Sequence, residues 1–189
     1  MNRVLIYMVF VVSVVLLSCK NDTKSTENTN TTDKKINTNV SNNEEIFSLT
    51  LNAIYPKDDV VIVFYTQYEG ETYGEDQMIR KKVTGSENVQ EIEFKMKKKD
   101  YPLNLRIDFS AYETQDTIKV YDCVLKYQNK SYIIEGNKLK DYFIFNDGIE
   151  ILNDSISFKL KPFMLNNKPV FDPYIKGNSK LEETLMTKI

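Results

Sequence analysis

Arg106 and Asp108 carry opposite charges within 103–109, a run in which apolar and polar side chains alternate. Residues two apart on a β-strand project from the same face of the sheet, about 6 to 7 Å apart along the strand. A guanidinium beside a carboxylate offers paired hydrogen bonds of the kind that sugar hydroxyls accept and donate. The same two groups often form a structural ion pair, so the pattern predicts either a glycan-binding pair or an ion pair.

Tyrosine is the second residue type with binding potential, since the chain contains 12 Tyr and no Trp. Several of these tyrosines fall at predicted strand ends or in predicted loops. An exposed aromatic ring can stack on the apolar face of a pyranose while its hydroxyl stays in water. We therefore take Tyr65, Tyr68 and Tyr73, with Arg106 and Asp108, as candidate ligand-binding residues. The alternative is that the tyrosines cover sheet edges.

Carboxylates are concentrated between residues 69 and 76. Two more, Asp58 and Asp59, come just before the predicted strand 60–65 that precedes this segment. Such oxygens could bind calcium, or act as acid and base in glycoside hydrolysis. Their spacing does not match the Asp-x-Asp-x-Asp-Gly calcium loop, and a glycosidase needs two carboxyls across a buried cleft. We expect no metal site and no catalytic residue, with calcium at these carboxylates left as an open alternative.

Histidine is absent, and Cys19 and Cys123 are the two cysteines of the chain. Without histidine, Ser-His-Asp and Cys-His catalytic groups and His-based zinc sites are excluded. Cys123 lies in a strand-like run without a basic neighbour to lower its pKa, so we expect a small buried apolar side chain. The sequence thus predicts a protein that is not an enzyme and needs no cofactor.

A fourteen-residue apolar stretch, 4–17, follows Arg3 and leads into Ser18-Cys19. A helix of that length spans about 21 Å, less than the roughly 30 Å of a hydrocarbon core, which indicates a signal segment. Leu16-Leu17-Ser18-Cys19 resembles the lipobox of bacterial lipoproteins. The resemblance implies that residues 1–18 are removed and that acylation of Cys19 anchors the mature chain in a lipid bilayer. Since no Asp follows Cys19 directly, it further implies the outer membrane, with the facing side open.

Residues 19–44 are predicted to be a disordered tether. Ile36 and Val40 are the two apolar side chains between Lys20 and Glu44, too few to offset the entropy of ordering the segment. The mature chain has 24 basic and 27 acidic residues, a formal charge of −3, because Arg3 leaves with the signal segment. This balance is too mild to dictate a partner, and the short Lys and Arg runs indicate solvated turns, so we expect no nucleic-acid binding.

From Ile46 onward the apolar period is two, which predicts β-strands. The apolar phase changes near Tyr121-Asp122, which predicts a β-bulge. About eight or nine short strands without a long helical period predict an all-β, antiparallel two-sheet sandwich over 45–165. The predicted strands are 47–55, 60–65, 78–83, 92–96, 103–109, 118–127, 132–135, 142–145 and 156–160.

Residues 166–189 are predicted to form an irregular segment and a short C-terminal helix. Prolines make 161–177 a poor strand or helix candidate. Ser179-Lys180-Leu181-Glu182 then matches a capping box, and Leu181, Leu185 and Ile189 recur at the four-residue spacing of a helix face.

Leu103-Asn104-Leu105-Arg106-Ile107-Asp108-Phe109, with the apolar strand at 118–127, is similar to the jelly-roll-like accessory domains of bacterial membrane enzymes that assemble surface glycans. The similarity covers at most 47–145. It implies a jelly-roll-like sandwich and a glycan-handling context, and it transfers no catalytic residue. Two functions follow as hypotheses: a lipoprotein that binds glycan or assists envelope-glycan assembly, or a lipoprotein that binds another envelope protein as a scaffold.

Overall fold

The computed structural model describes residues 45–189, and the predictions for 1–18 and 19–44, including acylation of Cys19, lie outside this range. Within the described range the chain forms an antiparallel two-sheet sandwich with a short C-terminal helix. The predicted fold class is therefore confirmed.

Thirteen strands and two α-helices make up residues 45–189. In chain order they are β1 (Phe47–Tyr55), β2 (Asp59–Thr66), β3 (Met78–Val83), β4 (Ser86–Lys95), β5 (Asn104–Asp108), β6 (Thr117–Tyr127), β7 (Lys130–Glu135), α1 (Leu139–Tyr142), β8 (Phe143–Phe145), β9 (Ile149–Ile151), β10 (Ser157–Leu160), β11 (Phe163–Leu165), β12 (Lys168–Val170), β13 (Tyr174–Gly177) and α2 (Ser179–Thr187).

The strands form two antiparallel sheets and a separate hairpin. The first sheet has the order β4-β1-β6-β10-β9, and β7 pairs with the second half of β6. The second sheet has the order β3-β2-β5-β13-β8, which places β5 at its centre. β11 and β12 pair with each other outside both sheets. The outer face of β5 carries Arg106 and Asp108, two of the predicted site residues.

The core lies between the two sheets and is built from alternate side chains of each strand. Leu51 of β1 pairs in register with Ile92 of β4 and with Cys123 of β6, and all three side chains are buried. Ile107 of β5 is fully buried opposite Val63 of β2. Burying one such aliphatic side chain stabilises the fold by about 1.5 to 3 kcal/mol. The predicted burial of Cys123 is confirmed, and burial raises the pKa of its thiol.

The predicted bulge in β6 is confirmed. Asn52 pairs with Asp122 and Ala53 with Val120, so Tyr121 is the extra residue on the β6 side. Gly136 lies against the bulge, where a Cβ atom would overlap the carbonyl oxygen of Val120.

The prediction of an irregular segment over 161–177 is wrong. The segment contains the hairpin β11–β12 and β13, and β13 pairs with both β5 and β8 inside the second sheet. β13 has only four residues, of which Ile175 is the one fully buried large apolar side chain, so alternation cannot reveal the strand. Its pairing partners are distant in sequence, and they decide its conformation.

The predicted terminal helix is confirmed as α2, but its first turn is capped differently. Asn178, not Ser179, is the N-cap, and its side-chain oxygen accepts hydrogen bonds from the N–H groups of Lys180 and Leu181. Leu181 and Leu185 are fully buried. None of the helices within residues 45–189 is long and apolar enough to cross a lipid bilayer.

Candidate functional site

A groove of about 580 Å³ opens beside the second sheet, where β2 ends and β5 begins. Its walls come from the loop after β2, the start of β5, and the junction of β13 with α2. The side chains that give this groove its chemistry are Tyr68, Glu69, Glu71, Tyr73, Asn104, Lys176 and Glu182.

Glu71 holds the loop that forms one wall of the groove. Its Oε2 accepts hydrogen bonds from the backbone N–H of Gln67 at 2.6 Å and of Tyr68 at 3.2 Å. Its Oε1 accepts a hydrogen bond from Nε2 of Gln77 at 2.9 Å. Hydrogen bonds to a charged acceptor are roughly twice as strong as neutral ones, so Glu71 positions Tyr68 and the residues after it.

Tyr73, Asn104 and Glu182 form a hydrogen-bonded chain across the floor of the groove. The Tyr73 hydroxyl donates to Asn104 Oδ1 at 3.0 Å, and Asn104 Nδ2 donates to Glu182 Oε1 and to the carbonyl oxygen of Gly177. Burial, followed by the negative charge of Glu182, raises the pKa of Tyr73, so the phenol stays protonated as a donor. A Cβ atom at Gly177 would overlap Asn104 and Leu181, which explains glycine at this position.

Aromatic surface and positive charge complete the groove. Tyr68 is 72% exposed, so its ring is available to a ligand. The Lys176 ammonium lies 5.7 Å from the centroid of the Tyr73 ring, within the range of a cation–π contact. The groove therefore combines aromatic faces, carboxylate acceptors and a cationic donor.

Arg106 and Asp108 form an ion pair on the outer face of β5, beside the groove. Arg106 Nε donates to Asp108 Oδ1 at 2.6 Å, and Nη2 donates to Asp108 Oδ2 at 3.1 Å. Nη2 also lies 3.0 Å from both carboxylate oxygens of Asp172. The guanidinium sits 3.8 Å from the centroid of the Tyr174 ring and 5.5 Å from that of Phe64. These contacts correspond to the ion-pair alternative for the two residues.

The electrostatics of Asp108 reflect this enclosed position. Burial raises the pKa of the Asp108 carboxyl, and the hydrogen bonds and positive charge of Arg106 partly offset that effect. The Asp108 side chain is only 10% exposed, which leaves little room for a ligand to replace Arg106 as its partner.

The five predicted ligand-binding residues therefore separate into three groups. Tyr68 and Tyr73 line the groove. Arg106 and Asp108 form the neighbouring ion pair. The expectation that Tyr65 lies at an accessible strand end is wrong, because its side chain is 1% exposed and its hydroxyl donates to Asp100 Oδ2 at 2.5 Å. Tyr65 shares the inward face of β2 with Val61 and Val63, since side chains two apart point the same way.

The carboxylates named as an alternative calcium site, Asp58, Asp59 and those of 69–76, do not come together. Asp59 is the first residue of β2, and the 69–76 segment follows the last residue of that strand. Seven steps along a strand separate its two ends by about 23 Å. The Asp59 carboxylate accepts hydrogen bonds from Val60, Ser110 and Ala111, and Asp58 accepts one from Gly85. Within 45–189, no three His, Cys, Asp or Glu side chains are grouped to hold a metal ion.

Sequence patterns did not identify three groove residues: Asn104, Lys176 and Glu182. Asn104 begins a strand whose alternation draws attention to its apolar positions. Lys176 and Glu182 lie in or after the segment predicted to be irregular, and only the pairing of β13 with β5 places them near Asn104. The one available signal was that Asn104, Arg106 and Asp108 share a strand face.

Comparisons with models of protein families, with curated proteins and with solved structures found no match for the chain. The function proposed next therefore depends on the residues and on the geometry of the groove.

Proposed function

We propose that the chain is a lipid-anchored lipoprotein of the cell envelope whose β-sandwich binds glycan in the groove, without catalysing a reaction. The observation that supports this proposal is the convergence of Tyr68, Tyr73, Asn104, Lys176 and Glu182 on one open groove.

The groove matches the surface chemistry of a sugar ring. A pyranose presents an apolar face that stacks on an aromatic ring, and hydroxyl groups that both donate and accept hydrogen bonds. Tyr68 supplies the exposed ring, Glu182 and Glu69 supply acceptors, and Lys176 supplies a donor. An open groove of this volume suits part of an oligosaccharide.

The anchor in this proposal comes from the sequence alone. The lipobox-like Leu16-Leu17-Ser18-Cys19 favours acylation of Cys19 and attachment to the bacterial outer membrane. A glycan-binding domain on such an anchor would serve in the assembly or retention of envelope glycans. The side of the membrane that it faces stays undecided in the proposal.

Substitution of the exposed groove tyrosine tests glycan binding. We expect residues 20–189 to retain at least one oligosaccharide on a glycan array, and Tyr68→Ala to weaken that retention by about tenfold, since aromatic stacking contributes about 0.5 to 1.5 kcal/mol beyond the area that it buries. Because Tyr68 is 72% exposed, its replacement should leave the melting temperature almost unchanged. Affinities are measured by titration calorimetry with the array ligand.

Tyr112→Ala is the matched control, because Tyr112 is 51% exposed but does not line the groove. Equal loss of binding in both variants would contradict a site at Tyr68. An array without any retained oligosaccharide would contradict glycan binding itself.

A second function, docking of an envelope protein, is favoured by one observation. The rim of the groove also carries Ile144 and Met186, which are 61% and 65% exposed. Exposed apolar side chains around a polar centre are common at protein interfaces. In that case crosslinking in intact envelopes should trap one dominant protein, and Met186→Glu should abolish the crosslink while glycan arrays stay empty.

A further inference from the structure

We propose that the groove selects glycans that bear a free, protonated amine and disfavours glycans that bear carboxylates. This inference rests on the proposed glycan-binding function and specifies the class of sugar. It follows from the charges that line the groove and from the hydrogen-bonding positions that the fold leaves open.

The groove has an excess of negative charge. Its lining includes three carboxylates, Glu69, Glu71 and Glu182, and one ammonium group, Lys176. The five ion pairs found within residues 45–189 include none of these four groups. Their charges therefore act on whatever occupies the groove, and the balance favours a cation.

The three carboxylates differ in what they can offer a ligand. Glu71 already accepts three hydrogen bonds from its own loop. Glu182 uses Oε1 to accept from Asn104, which leaves Oε2 without a partner in the described part of the chain. Glu69 is exposed, and its carboxylate has no hydrogen bond within residues 45–189. The acceptors open to a ligand are therefore Glu69 and one oxygen of Glu182.

An ammonium group satisfies these acceptors better than a neutral hydroxyl or an acetamide. It carries three N–H donors, and hydrogen bonds between charged partners are roughly twice as strong as neutral ones. A uronic acid would instead bring a carboxylate close to Glu69 and Glu182, and juxtaposed like charges oppose binding. Tyr73 and Asn104 keep Glu182 in place because their hydrogen bonds link it to β5.

The test compares three tetrasaccharide probes on residues 20–189: the fully N-acetylated glucosamine tetramer, its fully de-acetylated form, and tetragalacturonate. Binding is measured at about pH 6, where a sugar amine is mostly protonated and ordinary carboxylates are ionised. We expect the free-amine tetramer to bind about tenfold more tightly than the N-acetylated one, and tetragalacturonate to bind most weakly. Because exposed charges are screened, the preference should shrink as the salt concentration rises.

Two variants assign the preference to the groove. Glu182→Gln keeps an oxygen to accept from Asn104 while it removes the charge, and Glu69→Gln removes the other open carboxylate. Each should reduce the ratio of the affinity for the free-amine tetramer to that for the N-acetylated tetramer by several-fold. Glu183→Gln is the matched control, because Glu183 is exposed on the same helix, lies outside the groove lining and changes the net charge equally. Thermal unfolding confirms that each variant is folded.

The outcomes separate this inference from the proposed function. Equal affinity for the amine and N-acetylated probes, or tightest binding of tetragalacturonate, overturns the selectivity while glycan binding stands. An amine preference that Glu183→Gln reduces as much as Glu182→Gln does also overturns it, because the effect then belongs to the net charge. If an array shows that no glycan of any class binds, glycan binding and this inference both fail.

Discussion

Arg106 connects three parts of the second sheet through one guanidinium. It pairs with Asp108 on its own strand, reaches Asp172 in the segment before β13, and lies between the rings of Tyr174 and Phe64. Arginine suits this position because its planar group forms forked hydrogen bonds and stacks on aromatic rings at the same time. Its side chain is 23% exposed, so the pair is only partly screened by water.

Removal of this guanidinium should cost stability more than binding. Arg106→Leu leaves the Asp108 carboxylate, 10% exposed, without its partner and close to Asp172. An exposed pair contributes up to about 1 kcal/mol, and breaking a buried pair costs about 3 to 5, so we expect a loss of about 2 kcal/mol in the free energy of unfolding. Urea unfolding, followed by circular dichroism, measures the change.

Asp172→Asn is the control for Arg106→Leu and should cost less, because the Asp172 side chain is 42% exposed. If Arg106→Leu unfolds at the same urea concentration as the wild-type protein but no longer binds glycan, the result would favour the glycan-binding alternative for Arg106 and Asp108.

Single residues could be predicted where strand alternation decides their direction. The i, i+2 spacing correctly placed Arg106 and Asp108 on one face, because β-strand geometry is local. The same rule places Tyr65 inward with Val61 and Val63, which outweighs its position near the end of the strand. Asn104 and Lys176 could not be joined in advance, since their proximity depends on the pairing of β13 with β5.

At the scale of elements, the start of α2 controls one wall of the groove. Asn178 accepts from two N–H groups of the first turn, and its own Nδ2 donates to the carbonyl oxygen of Asp141 at 3.1 Å. The backbone N–H of Asn178 also donates to the carbonyl oxygen of Tyr142 at 2.9 Å. The helix start is therefore joined to α1, and Glu182 lies one turn further along.

The identity of the cap can be tested by two adjacent alanine variants. Asn178→Ala should lower the free energy of unfolding by about 1 kcal/mol, because two N–H groups at the helix start lose their acceptor. Ser179→Ala should change it by only a few tenths, since serine is not the N-cap. Thermal or urea unfolding of the two proteins gives the comparison. A larger loss for Ser179→Ala would support the capping box that the sequence predicted.

Alternation of apolar and polar side chains could predict two of the longest strands. β1 and β6 have 9 and 11 residues, long enough for the period of two to appear and for a change of phase to reveal the bulge at Tyr121. β9 and β13, with 3 and 4 residues, carry too few positions for a period. These two strands are fixed by neighbours brought together by the fold, whereas the equally short β8 and β10 lie within the predicted strands 142–145 and 156–160.

At the scale of the whole molecule, the start of β1 lies at the same end of the sandwich as the groove. The carbonyl oxygen of Glu45 accepts from Lys99, and the Phe47 ring packs against Tyr101, with ring centroids 5.4 Å apart. The same segment continues directly into Asn104 on the groove floor. The described part of the chain therefore enters the sandwich at its groove end.

Acylation of Cys19 is the remaining prediction at this scale, and it decides where the groove operates. Each buried methylene contributes about 0.8 kcal/mol, and one acyl chain binds only marginally, so two or three chains would hold the protein at the membrane permanently. We expect the native protein to sediment with membranes, to resist extraction by high salt, and to incorporate labelled palmitate.

Cys19→Ser should abolish the label and prevent removal of residues 1–18, whereas Cys123→Ser should change neither, because that thiol is buried in the core. Intact-mass measurement distinguishes these states. An unmodified sulfur at Cys19 in the mature protein would separate the sandwich from the membrane, and glycan binding in the groove would then have to be explained without an anchor.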